Sequence, residues 1–176
     1  MIQSLYSYAS PNPQKPFLLR LAWFLFFKPL VACSLPGTNW RKFILRSFGA
    51  NFGAGGRLKP YLSISYPWNL VVGDHCWLGE SVWIDCLARV EVGHNVCISQ
   101  GSYLCTGNHD YKKPTFDLRL GPILIDAEVW IGAKSILAPS SIIGKGSVVC
   151  IGSVVTGSVH PYSIVRGNPA VLVGHR

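Results

Sequence analysis

Between residues 72 and 155 an aliphatic side chain returns every six positions. It stands at Val72, Leu78, Ile84 and Val90, then at Val92, Ile98 and Leu104, and again at Ile125, Ile131, Leu137, Ile143, Val149 and Val155. The residue after each is small or acidic, as at Gly73, Gly79, Asp85, Gly93, Cys105, Gly132 and Gly144. Small or β-branched residues dominate four places after it, with a run of serines at Ser135, Ser141, Ser147 and Ser153. A weaker set upstream, Phe52, Leu58, Ile64 and Leu70, marks an irregular first coil. This period matches neither an amphipathic helix nor the two-residue alternation of a hairpin. It fits a prism in which each hexad supplies one short strand and one corner, and three hexads close a triangular coil of eighteen residues. The aliphatic residue points to the axis, the small one fits the turn, and stacked coils pair as parallel sheets, each burying its neighbour's edge. The expected fold is therefore an all-β parallel β-helix. Periodicity leaves its handedness open, since simple parallel crossovers are as a rule right-handed.

The register breaks once, between Leu104 and Ile125, where residues 110–122 are inserted at a corner. Loops held by a rigid scaffold are where binding and catalytic residues concentrate. His109 stands at the root of this insertion, and a histidine has the near-neutral pKa that suits a general base. Its tautomer needs a partner. Asp110 is adjacent, and Asp85 is an acid where the repeat prefers glycine, one coil earlier. Asp85 reads equally well as a turn residue bonded to its own backbone. Lys112, Lys113, Phe116 and Arg119 ride on the inserted loop, either in contact with an acceptor or simply solvated.

The first fifty residues follow a different pattern. Phe17 to Cys33 is rich in Leu, Trp and Phe, but its longest uninterrupted apolar run, Leu21 to Phe27, falls short of the roughly 20 residues of a membrane-spanning helix. Leu30-Val31-Ala32-Cys33 resembles a lipoprotein cleavage box, although Lys28 and Pro29 break the apolar stretch such a signal requires. Two readings fit better: an interfacial anchor, with Arg20, Lys28, Arg41, Lys42 and Arg46 at headgroup level, or a helical cap packed on the core. At 176 residues the chain is sized for one domain with an appendage. We expect a helical segment over 1–50 and the β-helix over 51–176.

Composition sharpens this only in part. With 49% apolar residues, 18 Gly, 12 Pro and 14% charged residues, the chain has too little charged surface for its size and is expected to associate. A net charge of +8 attracts phosphates, anionic lipid or nucleic acid, but no nucleic-acid-reading motif is visible and no nucleic-acid partner is expected. The six cysteines lack metal-ligand spacing, so no metal is expected, and they read as reduced thiols of a cytoplasmic protein.

From Leu58 to Ala170 the motifs resemble the hexapeptide-repeat acyltransferases. The stretch 97–110, with Asn108-His109-Asp110, together with Tyr66-Pro67-Trp68-Asn69-Leu70 and 45–50, is similar to the branch that acetylates colanic acid and other exopolysaccharides. The resemblance implies a left-handed β-helix, a homotrimer, and O-acetyl transfer from acetyl-CoA to a hydroxyl of a sugar or lipid-linked saccharide. It assigns the base to His109, while Asp85 stands as a second catalytic candidate on its position in the repeat alone. It lays the pantetheine arm between two subunits along Trp130, Ala133, Ile151, Gly152 and Thr156, with Arg166 near the nucleotide end. Trp130 also reads as a trimer-core aromatic. Gly157 and Val171 depart from the family's basic residues, which leaves Arg166, Lys145 or Arg176 for the phosphates. Two other readings share the fold: a non-catalytic scaffold of a polysaccharide-assembly complex, and a γ-type carbonic anhydrase using His75, His94 and His109. The paired histidines five residues apart expected of the latter are missing.

Overall fold

The computed structural model describes residues 15–176. The hexads form a parallel β-helix with three faces. Face 1 stacks the strands Asn51–Phe52, Leu70–Val72, Val90–Val92, Ile123–Ile125, Ile142–Ile143 and Ser158–Val159. Face 2 stacks Arg57–Leu58, Trp77–Leu78, Cys97–Ile98, Trp130–Ile131, Val148–Val149 and Ser163–Gly167. Face 3 stacks Ser63–Ile64, Trp83–Ile84, Tyr103–Leu104, Ile136–Leu137 and Val154–Val155. Five coils are complete, and a sixth stops after face 2. All thirteen periodic aliphatic residues point inward and are at most 3% exposed. Twelve of them extend, with Phe52, Leu58 and Ile64, into three columns down the axis, for example Ile64, Ile84, Leu104, Leu137 and Val155, while Val90 stacks with Leu70 and Ile123.

The corners show why this sequence closes. The third residue after the inward aliphatic takes a left-handed backbone at corner after corner, in Gly101, Gly146 and Gly152 but also in His75, Ser81, Asn95, Glu128 and Lys134. The residue directly after the aliphatic is small because the next coil passes over it. A Cβ on Gly79 would lie 2.5 Å from the Gln100 nitrogen, and one on Gly132 would lie 2.6 Å from the Ile151 nitrogen. Buried corner serines close the turns by donating to backbone carbonyls, Ser102 to Gly132 and Ser135 to Cys150, each at 3.0 Å.

Two expectations are corrected. The first coil is regular: its strands pair in register with the second, and Gly55 and Gly56, both left-handed, close its first corner. The early coils are also longer than eighteen residues. Phe52, Val72 and Val92 stand twenty apart, whereas Ile125 and Ile143 stand eighteen apart. The extra length lies at the corner from face 3 to face 1, and the insertion follows Leu104 at that same corner.

Residues 15–50 form a helical cap. An arm of helical turns runs through Phe17–Ala22, Trp23–Phe27 and Lys28–Val31, and a separate helix spans Asn39–Ser47. Trp23, Val31, Leu45 and Phe48 join the solenoid core, covering the apolar end that a solenoid must protect. Basic side chains satisfy exposed carbonyls there. The fully buried Arg41 donates to Val31, Cys33 and Gly37 at 2.9, 2.7 and 2.8 Å, and Arg46 donates to Phe52 at 2.6 Å. Cys33, the residue of the lipoprotein-like box, thus lies within this cap. The outer side of the arm remains exposed. Among the described residues no helix is long and apolar enough to cross a membrane.

Candidate active site

The insertion is an ordered hairpin. Gly107–His109 pairs antiparallel with Leu118–Leu120, so the excursion begins before residue 110, and its tip spans 110–117. Asp110, 6% exposed, clamps it: its carboxylate accepts from Arg119 at 2.5 Å and from the Lys112 N–H at 3.1 Å. Lys113 and Asp117 pair across the tip at 2.9 Å.

His109 ends the first strand of this hairpin, half-buried. Its Nδ1 lies 2.8 Å from the Phe116 carbonyl oxygen, and the two rings stack at 4.2 Å with an interplanar angle of 1°. Phe116 has a φ of +51°, a conformation that bulky residues rarely adopt. That backbone turn aims the carbonyl at the imidazole and lays the phenyl ring over it. A carbonyl only accepts, so Nδ1 is the donor of this bond, and the neutral imidazole that makes it is the Nδ1–H tautomer. The two sequence candidates for this orienting role, Asp85 and Asp110, make other bonds. Asp110 holds the hairpin. Asp85 accepts from the Thr106 N–H at 2.9 and 3.0 Å, from the Thr106 hydroxyl, and from the Tyr103 hydroxyl at 3.3 Å. The acid fits where the repeat prefers glycine because this corner is widened, and it anchors Thr106 at the root of the hairpin.

Burial, reinforced by Cys105 and the Asp85 charge, pushes the Tyr103 hydroxyl well above its ordinary pKa and keeps it a donor. Trp83 stacks on the Tyr103 ring at 4.1 Å and is 45% exposed, so a flat aromatic surface on face 3 adjoins the His109 corner. Sequence reasoning missed three of these groups. The orienting atom belongs to the Phe116 backbone, which no side-chain pattern marks, and neither Thr106 nor the Trp83–Tyr103 pair breaks the repeat.

The predicted CoA residues divide between two edges. Trp130, Ala133 and Ile151 line a groove of about 560 Å³ along the corner from face 2 to face 3, together with Ser99, Gln100 and Cys150. The Trp130 indole N–H donates to the Ser99 hydroxyl at 2.9 Å. Gly152 lies beside this groove, and a Cβ there would meet nothing within 4 Å. Thr156 instead stands exposed on the corner between faces 3 and 1, the His109 edge two coils further on. Arg166 is exposed at the end of face 2. His75 and His94 lie in successive coils on the third edge, between faces 1 and 2, where His94 approaches Asp74 at 3.1 Å. One chain therefore holds His109 on one edge and the groove on another, with face 3 between them.

No sequence-family profile matches the chain. It is 40% identical over 138 residues to WcaF of Escherichia coli, which carries the name colanic acid biosynthesis acetyltransferase; the match covers 78% of this chain and 76% of that one. Nodulation protein L of Rhizobium meliloti is 31% identical over 173 residues, covering 97% of this chain and 93% of the relative. Among solved structures, a hexapeptide-repeat acetyltransferase of Vibrio cholerae superposes with a TM-score of 0.82 at 26% identity, over 90% of each chain. The same Vibrio protein complexed with acetyl-CoA gives a TM-score of 0.77 at 25% identity, over 90% of this chain and 83% of that one. Fold, repeat and sequence identity agree: the chain belongs to the hexapeptide-repeat acetyltransferase family.

Proposed function

We propose that the protein transfers an acetyl group from acetyl-CoA to a hydroxyl of a sugar destined for a surface polysaccharide, with His109 as the general base. The observation that carries this reading is the 2.8 Å contact of His109 Nδ1 with the Phe116 carbonyl, which favours the neutral tautomer that has Nε2 as its basic atom. Nε2 takes the hydroxyl proton as the sugar oxygen attacks the thioester carbonyl. The tetrahedral intermediate then collapses, the C–S bond breaks, and the imidazolium returns the proton to the departing thiolate. The products are the O-acetyl sugar and free CoA. Asp85 acts through Thr106, by holding the root of the hairpin, and is a positioning residue.

The separation of base and groove supports a homotrimer. In a closed threefold ring, the His109 edge of one subunit faces a different edge of its neighbour. Such a ring assembles His109 and Thr156 of one chain with the groove of Trp130, Ala133, Ile151 and Gly152 of the next. Arg166 lies at the end where the CoA phosphates leave the groove. A donor of this kind places the reaction in the cytoplasm, and the exposed helical arm favours peripheral contact with the inner membrane surface.

Purified protein is to be given acetyl-CoA and a panel of nucleotide- and lipid-linked sugars, with thiol release and acetylated product both measured. Product that depends on a sugar supports the proposal. Absence of thioester turnover with every acceptor rejects it in favour of the scaffold reading. Sedimentation of a stable monomer at micromolar concentration rejects the trimer.

A further inference from the structure

The net charge is not spread over the molecule. Asp74 is the first acidic residue in the chain, so all eight acids lie at 74–176, where eight of the sixteen bases cancel them. The 73 residues before Asp74 hold the other eight bases and no acid, and therefore the entire net charge of +8. All eight of these bases, Lys15 to Lys59, lie in the helical cap and the first coil, so that end of the prism is cationic and the part from Asp74 onward is neutral.

That same end carries the largest exposed apolar side chains of the cap. Phe17, Leu18, Leu21, Phe24 and Leu25 follow helical spacing along the outer side of the arm, and Leu18, Leu25 and Phe26 are 75%, 58% and 67% exposed. The inner side is already occupied, since Trp23 is fully buried and its indole N–H donates to the Ser65 carbonyl at 2.9 Å. A helix that is apolar all round and seats only one side has an unpartnered face. Because the arm is too short to span a bilayer, lying in the interface plane is the arrangement that covers it.

We infer that the N-terminal end of the prism docks on an anionic bilayer, with Leu18, Leu25 and Phe26 seated at headgroup level and the half-buried Lys15 and Arg20 beside them on the lipid phosphates. The docking surface stands on the charge partition and the exposed arm. Its use, delivery of a membrane-borne acceptor to His109, rests on the transferase reading above. The geometry suits that use. The arm is fixed to Ser65 and, through Phe24, to Tyr66, on the first-coil corner between faces 3 and 1. His109 leaves the same corner two coils on, about 10 Å away at the strand spacing of a sheet. A second copy of the chain is a poorer occupant, since two ends of like charge repel each other.

The test uses the full chain and vesicles of phosphatidylcholine alone or with about a third phosphatidylglycerol. Strong cosedimentation is expected only with the anionic vesicles, and release is expected near 1 M salt, where the Debye length is about 3 Å. The variant Leu18→Glu/Leu25→Glu/Phe26→Glu should bind at least about tenfold more weakly. The variant Lys15→Gln/Arg20→Gln leaves the apolar face intact and should lose about fivefold per base removed, on anionic vesicles alone. No binding by the unaltered protein, equal binding to both vesicles, or unchanged binding by both variants overturns the inference. So does loss of the oligomeric state in the triple variant, which would assign the face to another copy. Acetyl transfer to a water-soluble acceptor is measured on the same preparations. Turnover without vesicle binding rejects docking alone; vesicle binding without turnover supports docking and rejects the transferase reading.

Discussion

The Phe116 carbonyl accepts from Nδ1 of His109 while the Phe116 ring lies flat on the imidazole, so one loop residue sets both the hydrogen bond and the plane of that ring. His109→Ala should lower turnover by roughly 10² to 10⁴ with little change in CoA affinity. Phe116→Leu keeps the carbonyl and removes the stacked ring, an interaction worth about 0.5–1.5 kcal/mol. Turnover should fall about threefold to tenfold, with the KM for acetyl-CoA unchanged. Steady-state kinetics on folded protein checks both, and a large rise in KM in the leucine variant would place Phe116 in the donor site instead.

Asp85 is a buried acceptor facing three donors, so its loss should first be felt as stability. Asp85→Asn turns an amide toward the Thr106 and Tyr103 donors and leaves part of the cluster unsatisfied. The expected cost is about 1–3 kcal/mol, read from the denaturant midpoint, with a parallel loss of turnover as the hairpin root loosens. Thr106→Val should reproduce the direction at smaller size. Loss of turnover at full stability would instead make Asp85 a participant in the chemistry.

Trp130→Ala should weaken CoA binding by about tenfold, or 1.4 kcal/mol, while leaving the coil stack intact, because the indole is 52% exposed. Titration calorimetry with CoA checks this. Unchanged affinity with a weakened trimer would make Trp130 a subunit-contact residue.

The Ala54 N–H, and after it the imidazoles of His94 and His75, hold the Asp74 carboxyl below its ordinary pKa. A depressed carboxylate contributes stability above its unfolded pKa and loses it as pH falls through the folded value. The denaturant midpoint should therefore drop on the acid side of the ordinary carboxylate range. Asp74→Asn should lower the midpoint at neutral pH, leave it nearly unchanged in acid, and so flatten that limb.

The three interior columns were legible because each inward residue must be a β-branched or leucine side chain at a fixed interval, a demand composition cannot satisfy by chance. Gly79 and Gly132 were legible for the matching reason that the next coil's backbone leaves no room for a Cβ. The twenty-residue coils were not, because the added residues, such as those around Tyr66, sit at one corner and imitate a weakened repeat. Glu128 and Lys134 gave no sign of their left-handed backbone, which stacking imposes on residue types that seldom adopt it. Within the site, the position of His109 could be read from the broken register, but the group that orients it could not. The arm was ambiguous in sequence because both of its sides are apolar, and only the packing of Trp23 separates the seated side from the open one.

The solenoid also acts as a ruler. Strands stack at about 4.8 Å, so the distance from the cap to His109 comes only in whole steps, one for each coil. Inserting or removing a coil between Ile64 and Trp83 would raise or lower the histidine by one step while the chemistry of its corner stayed the same. How far above its base this protein works is thus a counted quantity, set by the number of repeats and insensitive to substitutions within them.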